Sequence, residues 1–172
     1  TLIDIKKINE ELNVRLPEDN VNRGVTWQVK KFEFDNMFSY GENNVVDFTK
    51  LNGIVGIFAP NASGKSSLLD ALSFCLFDTS SRAFKAINVL NSKKNNFYCK
   101  ATLEVDGVEY FIERTGKKQR NGHVKVNVDF YTFSDDGEKV SMNGDQRRTT
   151  DVNIRKVIGT YEDFIMTSLS LQ

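Results

Sequence analysis

One histidine and two cysteines are spread over 172 residues, and they are not grouped. His123 sits in a Gly-flanked polar loop, a setting that suits a solvated imidazole rather than a catalytic one. Cys75 falls on an apolar helix and Cys99 in a strand, so both read as buried free thiols and not as a disulfide framework. No His/Cys spacing of a metal site is present. A charge excess of either sign is missing too: 23 Lys and Arg balance 23 Asp and Glu. The chain as a whole therefore advertises no nucleic-acid partner, and only a local patch could attract one. Long hydrophobic runs are also missing. The longest, Leu68 to Phe77, is interrupted by Asp70 and is too short to span a bilayer. With no secretory leader pattern either, the expected location is intracellular and reducing: the cytoplasm of a bacterium or an infected host cell, or a eukaryotic nucleus.

Apolar residues make up 40% of the chain, thirteen of them phenylalanine, enough for a core. The length fits one domain or most of one. Residues 1–24 stand apart. Leu2, Ile5, Ile8 and Leu12 suggest a short amphipathic helix, and Pro17 to Gly24 is polar and turn-rich. The chain does not start with Met. Residues 1–24 are thus expected to be an extension and linker, with the main domain over 25–172.

The densest chemistry lies in Gly56-Ile57-Phe58-Ala59-Pro60-Asn61-Ala62-Ser63-Gly64-Lys65-Ser66-Ser67. This is a P-loop pattern in which Ala59 stands at the first glycine. Ile54, Val55, Ile57 and Phe58 predict a short buried strand before it. Leu68, Leu69, Ala71, Leu72, Cys75, Leu76 and Phe77 recur at helical spacing after it. Amides from Asn61 through Ala62 and Ser63 to Ser66 can form an anion nest, and the helix N-terminus adds its dipole. Gly64 allows close approach and φ > 0. Lys65 supplies a point charge for β- and γ-phosphates, Ser66 a hydroxyl for Mg²⁺, and Ser67 a hydrogen bond to backbone or an α-phosphate oxygen. The ligand class is a nucleoside triphosphate with Mg²⁺. If Ala62 must adopt φ > 0, it costs about 1 kcal/mol.

Strand patterns surround this motif. Trp27 and Val29, then Phe32 and Phe34, alternate; a turn over Asp35–Gly41 precedes Val45–Phe48, and Asn52-Gly53 forms a tight turn. Ile87, Val89 and Leu90 anchor an irregular polar stretch. Asp106-Gly107 is a type I′ hairpin signal that pairs Val105 with Val108, Leu103 with Tyr110 and Ala101 with Ile112. Val124, Val126, Val128 and Phe130 form a further strand, turned back at Asp136-Gly137. Asp151 is expected to cap a helix holding Val152, Ile154, Val157 and Ile158, stopped by Gly159, and a second helix starts near Tyr161. Asp70 reads as a helix-surface charge. Lys117, Lys118 and Arg120, and separately Arg147 and Arg148, read as solvated basic tips.

Hydrolysis also needs an acid at the end of a neighbouring strand and a group that orients water. The one apolar run ending in acids is Phe130–Asp136, and its Asp135 and Asp136 fit a hairpin tip better. No Asn-Lys-x-Asp base-reading motif occurs.

A P-loop followed by antiparallel hairpins and two helices resembles the N-terminal lobe of an ABC-type ATPase head of the SMC and SbcC-like DNA-repair group, in its phage-type or SbcC-type recombination branch. The resemblance is carried by Phe38–Glu42 with Val46–Phe48, by Pro60–Phe74, and by Ile158-Gly159, Tyr161, Phe164 and Leu171-Gln172. It implies an α/β P-loop NTPase fold: a mixed sheet around the P-loop helix plus an antiparallel β layer. It implies ATP and Mg²⁺ as ligands, with Gly64, Lys65 and Ser66 as Walker A. It implies Gln172 as the Q-loop glutamine between Mg²⁺ and the attacking water, a role the residue alone would not suggest. Lys65 and Gln172 would be the catalytic residues of this lobe, and Ser66 and Gln172 its metal ligands. The implied partners are a C-terminal lobe of the same ATPase beyond a coiled coil, a second head, an SbcD-type nuclease subunit and double-stranded DNA. Two departures stand out: Ala62 replaces a usual glycine, and the loop Asn36–Tyr40 lacks a basic residue that relatives often carry. Two other readings are a nucleotide-binding interaction module and a self-sufficient P-loop kinase or GTPase with its acid within residues 97–136.

Overall fold

The structure, a computed structural model, describes residues 26–53, 55–58, 60, 64–83 and 85–168. The expected extension over 1–24, the nest residues Asn61, Ala62 and Ser63, and Gln172 lie outside the described residues.

Among the described residues, six strands form one antiparallel sheet: β1 (Trp27–Asp35), β2 (Asn44–Asp47), β3 (Asn96–Val105), β4 (Val108–Lys118), β5 (Val124–Phe133) and β6 (Lys139–Ser141), in the order β2-β1-β3-β4-β5-β6. Two-residue periodicity sets which face is dry. In β3, Phe97, Cys99, Ala101, Leu103 and Val105 are buried and their neighbours are not. The Asp106-Gly107 turn has φ of +49° and +80°, the type I′ signature, and it sets the register read from sequence: Val105 opposite Val108, Leu103 opposite Tyr110, Ala101 opposite Ile112. Asp136-Gly137 likewise closes β5 onto β6, pairing Phe133 with Lys139. Asp135 and Asp136 are therefore hairpin-tip residues.

Among the described residues, a 3-10 turn (Phe48–Lys50) and four α-helical segments follow or interrupt the strands: α1 (Lys65–Phe77), the single turn α2 (Ala86–Val89), α3 (Arg147–Ile158) and α4 (Tyr161–Ser168). From Asp70 onward every residue of α1 is buried, and the helix shares one core with Phe32, Phe34, Phe97, Ile112 and Phe130 of the sheet. Phe74 meets Phe97 edge-on at 5.6 Å. Gly159 ends α3 with φ of +85°. Trp27 ties the sheet to this corner, its indole N–H donating to the Ile158 carbonyl at 2.8 Å and its ring stacking on Phe164 at 5.7 Å. No helix among the described residues is long and apolar enough to cross a membrane.

Three expectations are corrected. Asp70 is not a surface charge: it is 5% exposed, accepts a hydrogen bond from Ser81 at 2.8 Å and lies 3.3 Å from Arg82. The chain leaving α1 folds back over this face and supplies the partners that make burial of a carboxylate tolerable. Asp151 does not cap α3, which begins four residues earlier; it lies inside the helix, buried against Arg114. The stretch before the P-loop is not a buried strand. Residues 55–58 carry no regular secondary structure, with Val55 48%, Ile57 57% and Phe58 94% exposed. A strand apolar on both faces needs neighbours on both edges and cover on both sides, and no described strand pairs with this segment.

Candidate nucleotide site

The N-terminus of α1 has features that suit an anion. Gly64 is its N-cap residue in the left-handed region (φ +94°), no side chain caps the helix, and no acidic residue lies in the first turn. The Ser67 amide folds back onto the Gly64 carbonyl at 2.9 Å. A Cβ on Gly64 would lie 2.4 Å from Ser39 Oγ, so the position needs glycine for both conformation and space. The Lys65 ammonium donates to the Pro60 carbonyl at 2.8 Å, bringing its charge across the mouth of the loop. The Ser66 side chain stays exposed. A helix N-terminus, an ammonium and an exposed hydroxyl are the donor set that a magnesium triphosphate takes, and the described part of the loop fits that group.

The loop between β1 and β2 supports the site. Its lack of a basic residue removes a charge contact, but the loop still reaches the P-loop: the Tyr40 hydroxyl donates to the Gly64 carbonyl at 3.0 Å, and Ser39 packs over Gly64. Asn36, Phe38 and Asn43 all have positive φ. The conformation is held from outside by Phe38 N–H to Val89 O at 2.6 Å, Asn91 N–H to Asn36 O at 2.9 Å, and the Asn91 side chain to Tyr40 O at 2.9 Å. Burial raises the Tyr40 phenol above its ordinary pKa, so it remains a donor. Tyr40 and Ser39 went unassigned in the sequence because a Ser-Tyr pair in a polar loop has no periodicity to mark it.

Register places the other candidates. Asp35, which leads into the Ser39–Tyr40 loop, pairs with Tyr98 at the start of β3. Trp27, Val105 and Tyr110 define the opposite end, and Thr132 pairs with Tyr110 there. Asp135 and Asp136 thus sit at the end of the sheet away from Gly64. Charge is uneven along the same axis, although Lys94 pairs with Glu42 at 2.6 Å. Lys93, Lys94, Lys117, Lys118, Arg120 and Lys125 gather at the P-loop end, where Lys117 faces Lys125 across β4 and β5. Asp106, Glu109, Asp135, Asp136 and Glu138 gather at the other. Arg147 is exposed, as expected, and is also ion-paired with Asp78.

A family described as an AAA domain matches residues 31–171. The chain belongs to this family. The uncharacterized protein R555 of Acanthamoeba polyphaga mimivirus is 39% identical over 160 residues, spanning 89% of this chain and 12% of that relative. The SbcC component of the nuclease SbcCD from Bacillus subtilis is 27% identical over 135 residues, 74% of this chain and again 12% of the relative. Among solved structures, the recombination mediator protein RecF–ATP superposes with a TM-score of 0.52 at 23% identity, covering 74% of this chain and 31% of that one, which speaks to fold. The AAA-domain chain is the N-terminal lobe of an SMC/SbcC-like ATPase head, α/β in class, and it spans about an eighth of the curated relatives it matches.

Proposed function

We propose that this lobe is the ATP-binding half of a DNA-repair or recombination ATPase whose heads close on one another around ATP. The observation that carries the reading is the uncapped N-terminus of α1, where Gly64 is wedged by Ser39 and Tyr40 and Lys65 and Ser66 stand at the mouth of the loop. Lys65 would exchange the Pro60 carbonyl for phosphate oxygens, and Ser66, with Gln172, would ligate Mg²⁺. Bound Mg²⁺ supplies charge neutralisation for the departing phosphate. Asn61, Ala62, Ser63 and Ser67 would complete the phosphate cradle. Gln172 would orient the attacking water.

Two further features support a lobe that works in company. Its candidate acids lie at the far end of the sheet from the P-loop, so turnover by the lobe alone is expected to be negligible. The exposed run Val55–Phe58 beside the P-loop has the apolar character of a strand waiting for cover, which suits a C-terminal lobe of the same ATPase. The basic end of the sheet suits a DNA backbone, contacted without sequence preference and with strong salt dependence. A nuclease subunit of the SbcD type is the partner that the SbcC relative suggests.

The experiment is ATP turnover by the full-length protein with and without Lys65→Ala. Removing the P-loop ammonium should lower kcat/KM by about a hundredfold or more; unchanged turnover would refute the reading. ATP-dependent dimerisation of heads, measured by sedimentation, is the second expected result.

A further inference from the structure

Arg114, in the middle of β4, is the largest fully buried side chain described, at 0% exposure. Its Nε donates to the Cys75 carbonyl at 2.7 Å and its Nη2 to the Leu76 carbonyl at 3.4 Å. Both carbonyls belong to the last turn of α1, whose terminal C=O groups lack partners within the helix. Cys75 and Leu76 are themselves fully buried, so water does not reach them. The guanidinium takes the place of water and sets a positive charge at the negative end of the helix dipole. The same guanidinium reaches α3. Its Nη2 lies 2.8 Å from Asp151 Oδ1, and its Nη1 lies 3.7 Å from Asp78 Oδ1, just beyond α1. Arg147 of α3 closes the ring by pairing with Asp78 and lying 4.0 Å from Asp151.

We propose that Arg114 is a positioning residue for the nucleotide site, and that its ring with Asp78, Asp151 and Arg147 couples the P-loop helix to α3. The inference rests on the P-loop reading above. Three facts carry it. First, α1 is a stiff rod of 13 residues, roughly 20 Å long, with Gly64–Lys65–Ser66 at one end and the Arg114 fork at the other. Fixing the carbonyl end fixes where the phosphate-facing end stands over the sheet. Second, the fork is geometrically specific: it spans two carbonyls and two carboxylates, which a lysine ammonium cannot do. Third, the ring is not fully bonded. Arg114 Nη1 and Asp78 Oδ1 are buried without a hydrogen bond, and Asp151 Oδ1 meets the guanidinium by proximity of charge without hydrogen-bond alignment. Moving Asp78 toward Arg114 by about 1 Å would bring it within bonding distance. A small shift of α1 thus switches bonds in this ring, and Asp151 and Arg147 carry the change into α3. Phosphates gripped at Gly64–Ser66 would produce such a shift.

The test uses the full-length protein and amide hydrogen exchange with and without Mg-ATP. Wild type should show slowed exchange both in residues 60–67 and in α3. Asp151→Asn should keep the P-loop protection and the ATP affinity and lose the response in α3. Arg114→Lys should keep the charge yet weaken ATP affinity about tenfold, raising KM more than it lowers kcat. If Arg114→Lys does not fold, Asp151→Asn and Arg147→Ala decide the matter. An α3 response that survives both of these changes overturns the coupling, and an unaltered KM in Arg114→Lys overturns the positioning role. Absent ATP protection at residues 60–67 in wild type would instead overturn the P-loop reading, and the proposal with it.

Discussion

Tyr40 and Gly64 are joined by a hydrogen bond, phenol to carbonyl, at 3.0 Å. It links a loop without a basic residue to the glycine on which the proposed phosphate site turns. Tyr40 also stands edge-on to Phe34 at 5.0 Å, so its ring is held by the core while its hydroxyl reaches the P-loop. Tyr40→Phe keeps the ring and removes one hydrogen bond, about 1 kcal/mol. The expected result is ATP affinity weakened severalfold with little change in the urea midpoint. Isothermal titration beside urea unfolding separates the two, and equal losses in both would make Tyr40 a purely structural residue.

Gly64→Ala should abolish nucleotide binding, and the pair Gly64→Ala/Ser39→Gly tells why. The added methyl would meet Ser39 Oγ at 2.4 Å, and the residue would also keep a φ of +94°. Trimming Ser39 relieves the first problem and leaves the second, about 1–2 kcal/mol. Partial recovery of binding in the double variant is the expected outcome. Full recovery would mean that backbone conformation matters little here.

Phe97 lies over Gly116 on the neighbouring strand, so that a Cβ at Gly116 would come within 2.1 Å of the ring. The same ring packs on Phe74 of α1, leaving it little room to move. Gly116→Ala should therefore destabilise the fold by about 1–3 kcal/mol through overpacking. The check is a lower urea midpoint at unchanged m-value, and Gly116→Ala combined with Phe97→Leu should recover part of the loss.

Alkaline stability should depend on Tyr98. Burial, and next the carboxylate of Glu113, push its phenol up from 10.0 to about 12, with Lys100 opposing. A pKa raised in the folded state means that the stabilisation is complete below the ordinary value of 10.0 and is lost as pH climbs through about 12. Wild type should lose stability over that window, and Tyr98→Phe should flatten the loss. Denaturant midpoints measured across the window decide it; parallel curves for the two proteins would remove Tyr98 as the cause.

What the sequence made legible follows the range of the interactions involved. Asp106-Gly107 set a hairpin register three pairs deep because turn chemistry and two-residue alternation are local. Gly159 ended a helix for the same reason. Gly64, Lys65 and Ser66 stand at the start of α1, as a Gly/Ser turn before an apolar helical pattern leads one to expect. The misses are all long-range. Asp70 is buried because Ser81 and Arg82 return over it, and Asp151 because Arg114 lies below it; neither partner is within a helical turn. Arg114 carries no local signal, since it lies in an ordinary strand pattern ahead of Lys117, Lys118 and Arg120. Nothing local distinguishes a cation under a helix end from one in solvent. Ile57 and Phe58 carry the composition of a central strand, but composition does not supply neighbours.

The exposed run before the P-loop offers a measurement of whether a further lobe covers it. Phe58 is 94% exposed and Ile57 57% exposed, so neither contributes much buried area to the described fold. Phe58→Ser should change the stability of the isolated lobe by no more than about 0.5 kcal/mol, as for an ordinary surface site. If a C-terminal lobe covers the segment in the full-length protein, the same change empties a buried site there and costs about 3–5 kcal/mol. The substitution should also weaken association of separately produced lobes while leaving the ATP affinity of full-length protein that remains folded within reach of wild type. Unfolding midpoints of both forms, with and without the substitution, measure the difference directly. Equal small effects in the two would mean that the segment stays uncovered, and the apolar run would then need another explanation.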